Sequence, residues 1–220
     1  MIILEVLAHR IADGIALQLN LDQEKHSVIA YGLIGILQVT TLFIVIAIIG
    51  LVTDTLYESL IIFLSVGYMR KSTGGAHSNT MIGCNTVSIL SIVILAVSSR
   101  YLLNGLLDGY VNLGITMIVF LLGYVVIYLR VPVDNPNKPI VTMEKIKRLR
   151  KESYSKLFLF LILTIGSMML ADTNERFYSI ASSLRLAMIW QAVTLTQTGT
   201  SLLSRLDSIV NWMLSKLNIL

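Results

Sequence analysis

The residue types best suited to covalent chemistry fall in one short stretch, residues 70–84, which reads RKSTGGAHSNTMIGC. It contains the only cysteine of the chain, Cys84, and one of the three histidines, His77. A thiol becomes a strong nucleophile when a nearby base or the amino end of a helix favours the thiolate. The pair therefore indicates nucleophilic catalysis. The alternative is an inert thiol beside a histidine that only makes hydrogen bonds.

The spacing of His77 and Cys84 sets a condition on the local structure. On one continuous helix this spacing would separate the two side chains by about 10 Å, which is too far to share a proton. The helix must therefore be broken between them. Gly74 and Gly75 permit a turn before His77, and Gly83 permits another before Cys84. A helix that begins near Cys84 would place the sulfur over unpaired backbone N–H groups.

Other polar residues flank the pair. Arg70 and Lys71 could stabilise a thiolate or an oxyanion, and setting the membrane topology is an equal alternative for both. Ser88 lies one helical turn after Cys84 and could hydrogen-bond toward the site, or pack between helices. One cysteine and one nearby histidine are too few for a zinc site, so we expect no metal and no cofactor.

The composition indicates a helical membrane protein as the scaffold for this stretch. Of 220 residues, 55% are hydrophobic and 14% are charged, with three prolines and one cysteine. This balance excludes the disordered, collagen-like and disulfide-rich classes. Six apolar segments are candidate membrane spans, at residues 28–53, 59–69, 77–99, 109–129, 157–171 and 186–203.

Two of these segments are unusual. Residues 59–69 are too few to cross the bilayer alone. They form a span only if Asp54 and Glu58 lie at the membrane surface where it begins, and the alternative is a re-entrant half-helix. Arg185 adjoins the last segment, where a cation is costly, so it snorkels outward, shortens the span or has a function. Four polar residues of this last segment share one face of the predicted helix, which indicates that this face is turned to the protein interior. They are Gln191, Thr194, Thr198 and Ser201.

Basic residues predict the orientation in the membrane. The link 130–156 carries eight of the 17 basic residues, and Lys and Arg are retained on the cytoplasmic side. Both termini and the site then lie at the cytoplasmic face of a multi-pass protein of the bacterial cell membrane. The same link holds all three prolines, which predicts a rigid turn over 131–140. A helix is predicted to start in the basic run that follows, Lys145, Lys147, Arg148, Arg150 and Lys151.

The two ends of the chain are amphipathic. Residues 1–25 and 204–220 place apolar side chains at helical spacing, which predicts helices lying on the inner membrane surface. The fold class is therefore all-α: an integral membrane helical bundle of about six transmembrane segments in a single domain, 1–220. The net charge of +4 favours anionic lipid or an acidic peptide as partner, and not nucleic acid.

With these features the chain resembles the accessory gene regulator B (AgrB) family, bacterial membrane cysteine endopeptidases that process AgrD-type precursors of quorum-sensing peptides. The resemblance covers roughly residues 1–200 and includes the amphipathic start, the apolar segments and two motifs in the same order. The first motif is Arg70-Lys71, Gly75, His77 and Cys84. The second is Pro132, Lys138 and Pro139, followed by the basic run.

The resemblance implies a reaction. Cys84 would attack a peptide bond of an AgrD-like precursor, while His77 takes the thiol proton and later protonates the leaving amine. An internal cysteine or serine of the precursor would then displace Cys84 and close a thiolactone or lactone ring. The family's precursors end in an acidic tail, for which Lys138, Pro139 and the basic run are candidate binding residues, with attraction to anionic lipid as the alternative.

The sequence leaves the oligomeric state and two alternative functions open. The resemblance suggests a homodimer, and Gly32 and Gly35 could allow close helix approach, although this pattern is common in single-chain bundles. A small membrane transporter or exporter of a peptide is the alternative function, with Arg185 and the polar face of the last span along a pathway. A membrane scaffold without chemistry is the third.

Overall fold

A computed structural model describes residues 2–75, 81–103, 109–133 and 142–216. Within these ranges the regular structure is helical, and they contain no strand. The α-helices are α1 (Ile2–Leu19), α2 (Gln23–Val52), α3 (Leu56–Thr73), α4 (Met81–Val97), α5 (Gly109–Arg130), α6 (Met143–Leu170), α7 (Arg176–Thr194) and α8 (Gln197–Lys216). A π-helical segment, Ser98–Leu102, continues α4.

The first of two compact units, Met1–Val45, contains α1 and most of α2. Asp22 caps the start of α2, because its Oδ1 accepts the backbone N–H of Lys25 at 2.8 Å. This hydrogen bond lowers the pKa of the Asp22 carboxyl group. His26 Nε2 lies 2.7 Å from Asp13 Oδ1 and so joins α2 to α1. The start of the chain is therefore helical, as predicted, but α1 ends at Leu19 and not at residue 25.

Among the described residues, four helices are long and apolar enough to cross a membrane: Gln23–Val52, Ile82–Leu102, Gly109–Arg130 and Met143–Leu170. They confirm the predicted all-α membrane fold and match the predicted spans at 28–53, 77–99, 109–129 and 157–171. The last of them begins within the predicted cytoplasmic link, so the basic run forms its first turns, as expected. The remaining two predicted spans correspond to more polar helices of the second unit, Ile46–Leu220.

Helices α3 and α7 form the most extensive helix pair of the second unit, and α7 also packs on α4, α5 and α6. Helix α3 is continuous over 18 residues, about 27 Å. Small hydroxyl side chains let the backbones of such a pair approach closely. The buried ones are Ser59, Ser65 and Ser72 of α3 and Ser179, Ser182 and Ser183 of α7.

Glu58 lies in the first turn of α3 and is only 3% exposed. Its Oε1 accepts a hydrogen bond from Ser179 Oγ at 2.5 Å. Ser99 Oγ donates to the Ser179 carbonyl oxygen at 2.6 Å and lies 2.8 Å from Ser183 Oγ. These contacts satisfy polar groups that would otherwise be costly in an apolar bundle, and they tie the ends of α3, α4 and α7 together.

Arg185 lies in the middle of α7 and is 6% exposed. Its Nε donates to the Ala181 carbonyl oxygen at 3.3 Å and its Nη2 to Ser182 Oγ at 2.9 Å. Its Nη1 donates to Asn112 Oδ1 of α5. The expectation that Arg185 snorkels outward or shortens the span was therefore wrong, because α7 itself and Asn112 of α5 supply the hydrogen bonds that water would otherwise supply.

Both bounds of the last predicted span, 186–203, were wrong. Helix α7 begins earlier, at Arg176, and ends at Thr194, and α8 begins at Gln197 after a break. Gln191 is buried as expected, but Thr198 and Ser201 are exposed, because the break changes the direction of the chain between them. The shared interior face predicted for these residues therefore stops at Thr194.

Candidate active site

Cys84 is the fourth residue of α4 and is half-buried. The first four N–H groups of a helix have no partner within that helix, so the thiol belongs to the turn where the positive end of the helix dipole is strongest. Helix α4 starts at Met81, close to the cysteine as expected. Gly83 is helical, however, so the turn predicted there was wrong.

A small cavity opens beside Cys84 and encloses about 30 Å³. Four helices supply its walls: α3, α4, α7 and α8. This volume is enough for water molecules or a small side chain. The lining residues besides Cys84 are Arg70, Val87, Ser88, Trp190, Thr194 and Leu203.

The turn after α3 depends on its glycines. Helix α3 ends at Thr73, and Gly74 and Gly75 follow with φ angles of +72° and +146°. L-residues rarely adopt either angle. A Cβ on Gly74 would also overlap the carbonyl oxygen of Val133. Helix α3 therefore ends before His77, as the two glycines predicted, whereas residues 77–80, part of the segment in which the spacing requires a break, lie outside the described residues.

The segment after α5 is bonded to the same turn. The backbone N–H of Val133 donates to the Thr73 carbonyl oxygen at 2.9 Å. The Arg150 guanidinium donates to the Val131 carbonyl oxygen through Nε at 3.1 Å and Nη2 at 2.9 Å. The start of the proline-containing link is thus held against the end of α3 from one side and against α6 from the other.

Gly75 lies between the guanidinium of Arg70 and the side chain of Thr194. A Cβ built on Gly75 would be 3.4 Å from Arg70 Nε and 3.3 Å from Thr194 Oγ1. Both neighbours also line the Cys84 cavity. The chain that leads to His77 therefore leaves α3 at the edge of that cavity.

Gln191 is a residue of this site to which the sequence analysis gave no role beyond an interior face. Its Nε2 donates to Thr73 Oγ1 at 2.8 Å and to the Gly74 carbonyl oxygen at 3.1 Å. Its buried Oε1 has no hydrogen-bond partner among the described residues. Gln191 thus holds the glycine turn against α7.

Lys156 was also missed as a residue of the site. It is 9% exposed, and its Nζ donates to the Tyr68 carbonyl oxygen and to Ser72 Oγ, each at 3.0 Å. The same ammonium lies 4.6 Å from the centroid of the Tyr68 ring. A cation at the carboxyl end of a helix is favourable, so Lys156 stabilises the end of α3. A lysine at the edge of an apolar run was the only signal in the sequence.

The remaining predicted site residues differ in their surroundings. Arg70 and Ser88 share the cavity with Cys84, whereas Lys71 is exposed. His77, Lys138 and Pro139 lie outside the described residues.

The basic run occupies the first turns of α6. Lys147, Arg148 and Lys151 are exposed, and Arg148 Nε lies 3.8 Å from Glu152 Oε1. Lys145 is half-buried. Arg150 differs from the rest because its guanidinium is already bonded to Val131. Within the described ranges, no three His, Cys, Asp or Glu side chains lie close enough to share a metal ion.

Comparisons with known proteins agree with the family resemblance described in the sequence analysis. The family profile described as Accessory gene regulator B matches residues 8–195. AgrB-like protein 2 of Clostridium perfringens strain 13 is 32% identical over 217 residues, which cover 96% of this chain and all of that protein, 100%. An AgrB-like protein of Clostridium perfringens strain SM101 is 33% identical over the same length, with the same coverage. No solved structure matches the chain.

Proposed function

The chain belongs to the accessory gene regulator B family, and on that premise we propose that it is a membrane-embedded cysteine endopeptidase that matures a quorum-sensing peptide. Members of this family take part in the processing of autoinducing peptides, and membership implies that the substrate is an AgrD-type precursor. The proposal adds the reaction: removal of the precursor's carboxyl-terminal tail through a thioester, and cyclisation of what remains.

The proposed first step is an acyl transfer. Cys84 Sγ attacks the carbonyl carbon of the scissile peptide bond, and His77 accepts the thiol proton. The C–N bond then breaks, His77 returns the proton to the leaving amine, and the tail departs. Backbone N–H groups in the first turn of α4 and the Arg70 guanidinium are the candidate groups to stabilise the oxyanion.

The proposed second step closes the ring. A cysteine thiol or serine hydroxyl within the bound precursor attacks the thioester carbonyl, so that Cys84 leaves as the thiol and a thiolactone or lactone forms. Hydrolysis would give a linear product instead. A half-buried sulfur beside a cavity of about 30 Å³ favours ring closure, since few water molecules fit near the thioester.

The single observation that carries this proposal is the meeting of two chain segments at one cavity. Cys84 and Arg70 line the cavity, and Gly75 lies against Arg70 and Thr194 at its edge. Because two residues of chain span at most about 7 Å, His77 is tethered within that distance of Gly75. An inert thiol needs neither a guanidinium beside it nor a glycine turn held by Gln191.

Substrate binding is proposed for the exposed cations near the start of α6. Lys147, Arg148 and Lys151 would attract the acidic tail of the precursor, together with Lys145 and Lys138, and Pro139 would support the link beside Lys138. Arg150 would act differently, by holding the link through the Val131 carbonyl oxygen. Attraction to anionic membrane lipid is the alternative for the exposed cations.

The proposal includes a location and an assembly. Both termini and the Cys84 cavity would lie on the cytoplasmic side of the bacterial cell membrane, because the basic residues concentrate at that end of the predicted topology. A homodimer is proposed from the family resemblance alone. In the first unit, a Cβ on Gly32 or Gly35 would meet no neighbouring atom within 4 Å, which leaves that helix surface open to a second helix.

The experiment is cleavage of an AgrD-type precursor by purified protein in neutral detergent. We expect Cys84→Ala and His77→Ala each to abolish tail release, while Leu202→Ala, at an exposed position of α8, cleaves as wild type does. An exporter without peptidase chemistry would release no tail even as the wild-type protein, and its transport activity would tolerate at least one of the first two changes. Full cleavage by Cys84→Ala would refute the proposal.

A further inference from the structure

Helix α8 lies beyond the residues that the family profile matches, 8–195. It packs on α4, the helix that carries the cysteine. Because its apolar side chains repeat at helical spacing, packing on the membrane surface was the simplest expectation for it. One of its side chains also lines the cavity beside Cys84.

A tight turn fixes the direction in which α8 leaves α7. Thr196 caps α8, because its Oγ1 accepts the Gly199 backbone N–H at 3.0 Å. The Gly199 backbone packs directly against the Val193 carbonyl group, and a Cβ there would overlap that oxygen. Thr196 Oγ1 also donates to the Val193 carbonyl oxygen at 2.7 Å. The start of α8 therefore has a defined position relative to the end of α7.

The cavity has two chemically different sides. Arg70, Ser88 and Thr194 provide polar groups, whereas Val87, Trp190 and Leu203 are apolar. Leu203 is the only one of these six residues that comes from α8. It is half-buried, and its neighbour Leu202 is 47% exposed on another face of the helix.

We infer that α8 determines substrate specificity: Leu203, with Val87 and Trp190, forms the wall that receives the side chain of the precursor residue whose carbonyl carbon is attacked by Cys84. This inference rests on the proposed function. The cavity adjoins the sulfur, so a peptide with its carbonyl carbon at Sγ places the side chain of that same residue nearest this wall. A volume of about 30 Å³ selects a small side chain, of the size of alanine, threonine or valine.

The inference makes Leu203 the residue that limits the size of the accepted side chain. One methylene group more or less in an apolar pocket changes selectivity by about 10-fold to 200-fold. Leu203→Ala removes part of this wall. The rate of cleavage after leucine, divided by the rate of cleavage after alanine, should therefore rise at least about tenfold. Leu203→Trp should lower the same ratio. Leu202→Ala and Leu202→Trp are the matched controls, and neither should change it.

The first measurement is kcat/KM for precursors that carry alanine, valine, leucine or phenylalanine before the scissile bond. Wild type should cleave the alanine and valine forms best, and the two Leu203 variants should shift that preference in opposite directions. An unchanged leucine-to-alanine ratio in both Leu203 variants would overturn the inference. A Cys84→Ala protein that still cleaves would instead overturn the proposed function.

The second measurement needs no precursor. Cys84 is the only cysteine of the chain, so every thiol reagent reports on it alone. We expect Leu203→Ala to increase the alkylation rate of a bulky maleimide relative to iodoacetamide, and Leu203→Trp to decrease it, with Leu203→Met as the conservative variant if either fails to fold. Equal relative rates in all Leu203 variants and in the Leu202 controls would show that α8 does not form this wall.

Discussion

Replacing Gly74 with alanine is the sharpest test of how the glycine turn supports catalysis. Gly74 has φ +72° and ψ −148°, a combination almost confined to glycine. The added Cβ would overlap the Val133 carbonyl oxygen, so the Val133 segment must move away. That movement breaks the hydrogen bond between Val133 N and the Thr73 carbonyl oxygen. The change thus separates the glycine turn from the start of the link.

The size of the effect follows from two contributions. A residue held in a sparsely populated backbone region costs about 1–3 kcal/mol. Loss of one backbone hydrogen bond adds about 0.5–1.5 kcal/mol. Together they amount to roughly 1.5–4.5 kcal/mol, and when this is expressed in the transition state kcat/KM for tail release falls about 10-fold to 2,000-fold.

The assay compares Gly74→Ala with Gly67→Ala in purified protein. Gly67 lies in the same helix, and a Cβ there would meet no atom within 4 Å. Alanine is favoured over glycine inside a helix by about 1 kcal/mol, so the control should fold at least as well as wild type and cleave within about twofold of it. Thermal unfolding in detergent and single-turnover tail release are both measured.

Equal cleavage by the two alanine variants would refute this reasoning. It would mean that the contact between Gly74 and Val133 does not position the cavity edge. A Gly74→Ala protein that elutes as a folded species and keeps its Cys84 reactive toward iodoacetamide, yet cleaves at least about tenfold more slowly, is the expected result.

Three further outcomes follow from the same contacts. Lys156→Met removes the hydrogen bonds from Nζ to the Tyr68 carbonyl oxygen and to Ser72 Oγ. The free energy of unfolding should then fall by about 1–3 kcal/mol, measured by thermal unfolding, and Lys156→Gln should lose less stability because it can still donate. Arg185→Met should lower stability by a similar amount because Asn112 Oδ1 loses its donor, while cleavage per folded molecule stays near wild type; loss of peptide export at normal cleavage would instead favour a transport role. Replacing the exposed cations Lys147, Arg148 and Lys151 with glutamine should raise KM for an acidic-tailed precursor roughly 3-fold to 100-fold with kcat unchanged. The same change should not affect KM for a precursor with a neutral tail. An unchanged KM in neutral detergent would assign these cations to lipid.

The long apolar helices could be predicted from the sequence, because hydropathy alone determines which segments are suited to a bilayer. Helix α7 could not be predicted in this way. It is polar on the face that packs against α3, and its end at Thr194 depends on a backbone contact between Gly199 and Val193. The predicted span 186–203 followed the apolar residues across that break. Tertiary contacts thus override hydropathy at this position.

The candidate site was predictable to a similar extent. Cys84 and the helix break at Gly74 and Gly75 follow from residue type and spacing. The roles of Gln191 and Lys156 do not, because each acts on α3 across more than 80 residues of sequence. A single sequence carries no signal for such pairs. Leu203 likewise reads as one more apolar residue of an amphipathic helix until its neighbours in space are known.

Trapping the thioester at Cys84 tests the central claim most directly. A precursor whose internal cysteine or serine is replaced by alanine cannot close the ring, so the acyl group should remain on the enzyme. Intact-protein mass spectrometry should then show the chain heavier by the tail-less precursor fragment, and hydroxylamine should remove that mass as the hydroxamate. Peptide mapping should place the adduct on Cys84. Release of the tail from this precursor with no adduct at any time, or an adduct that persists in Cys84→Ala, would contradict the account.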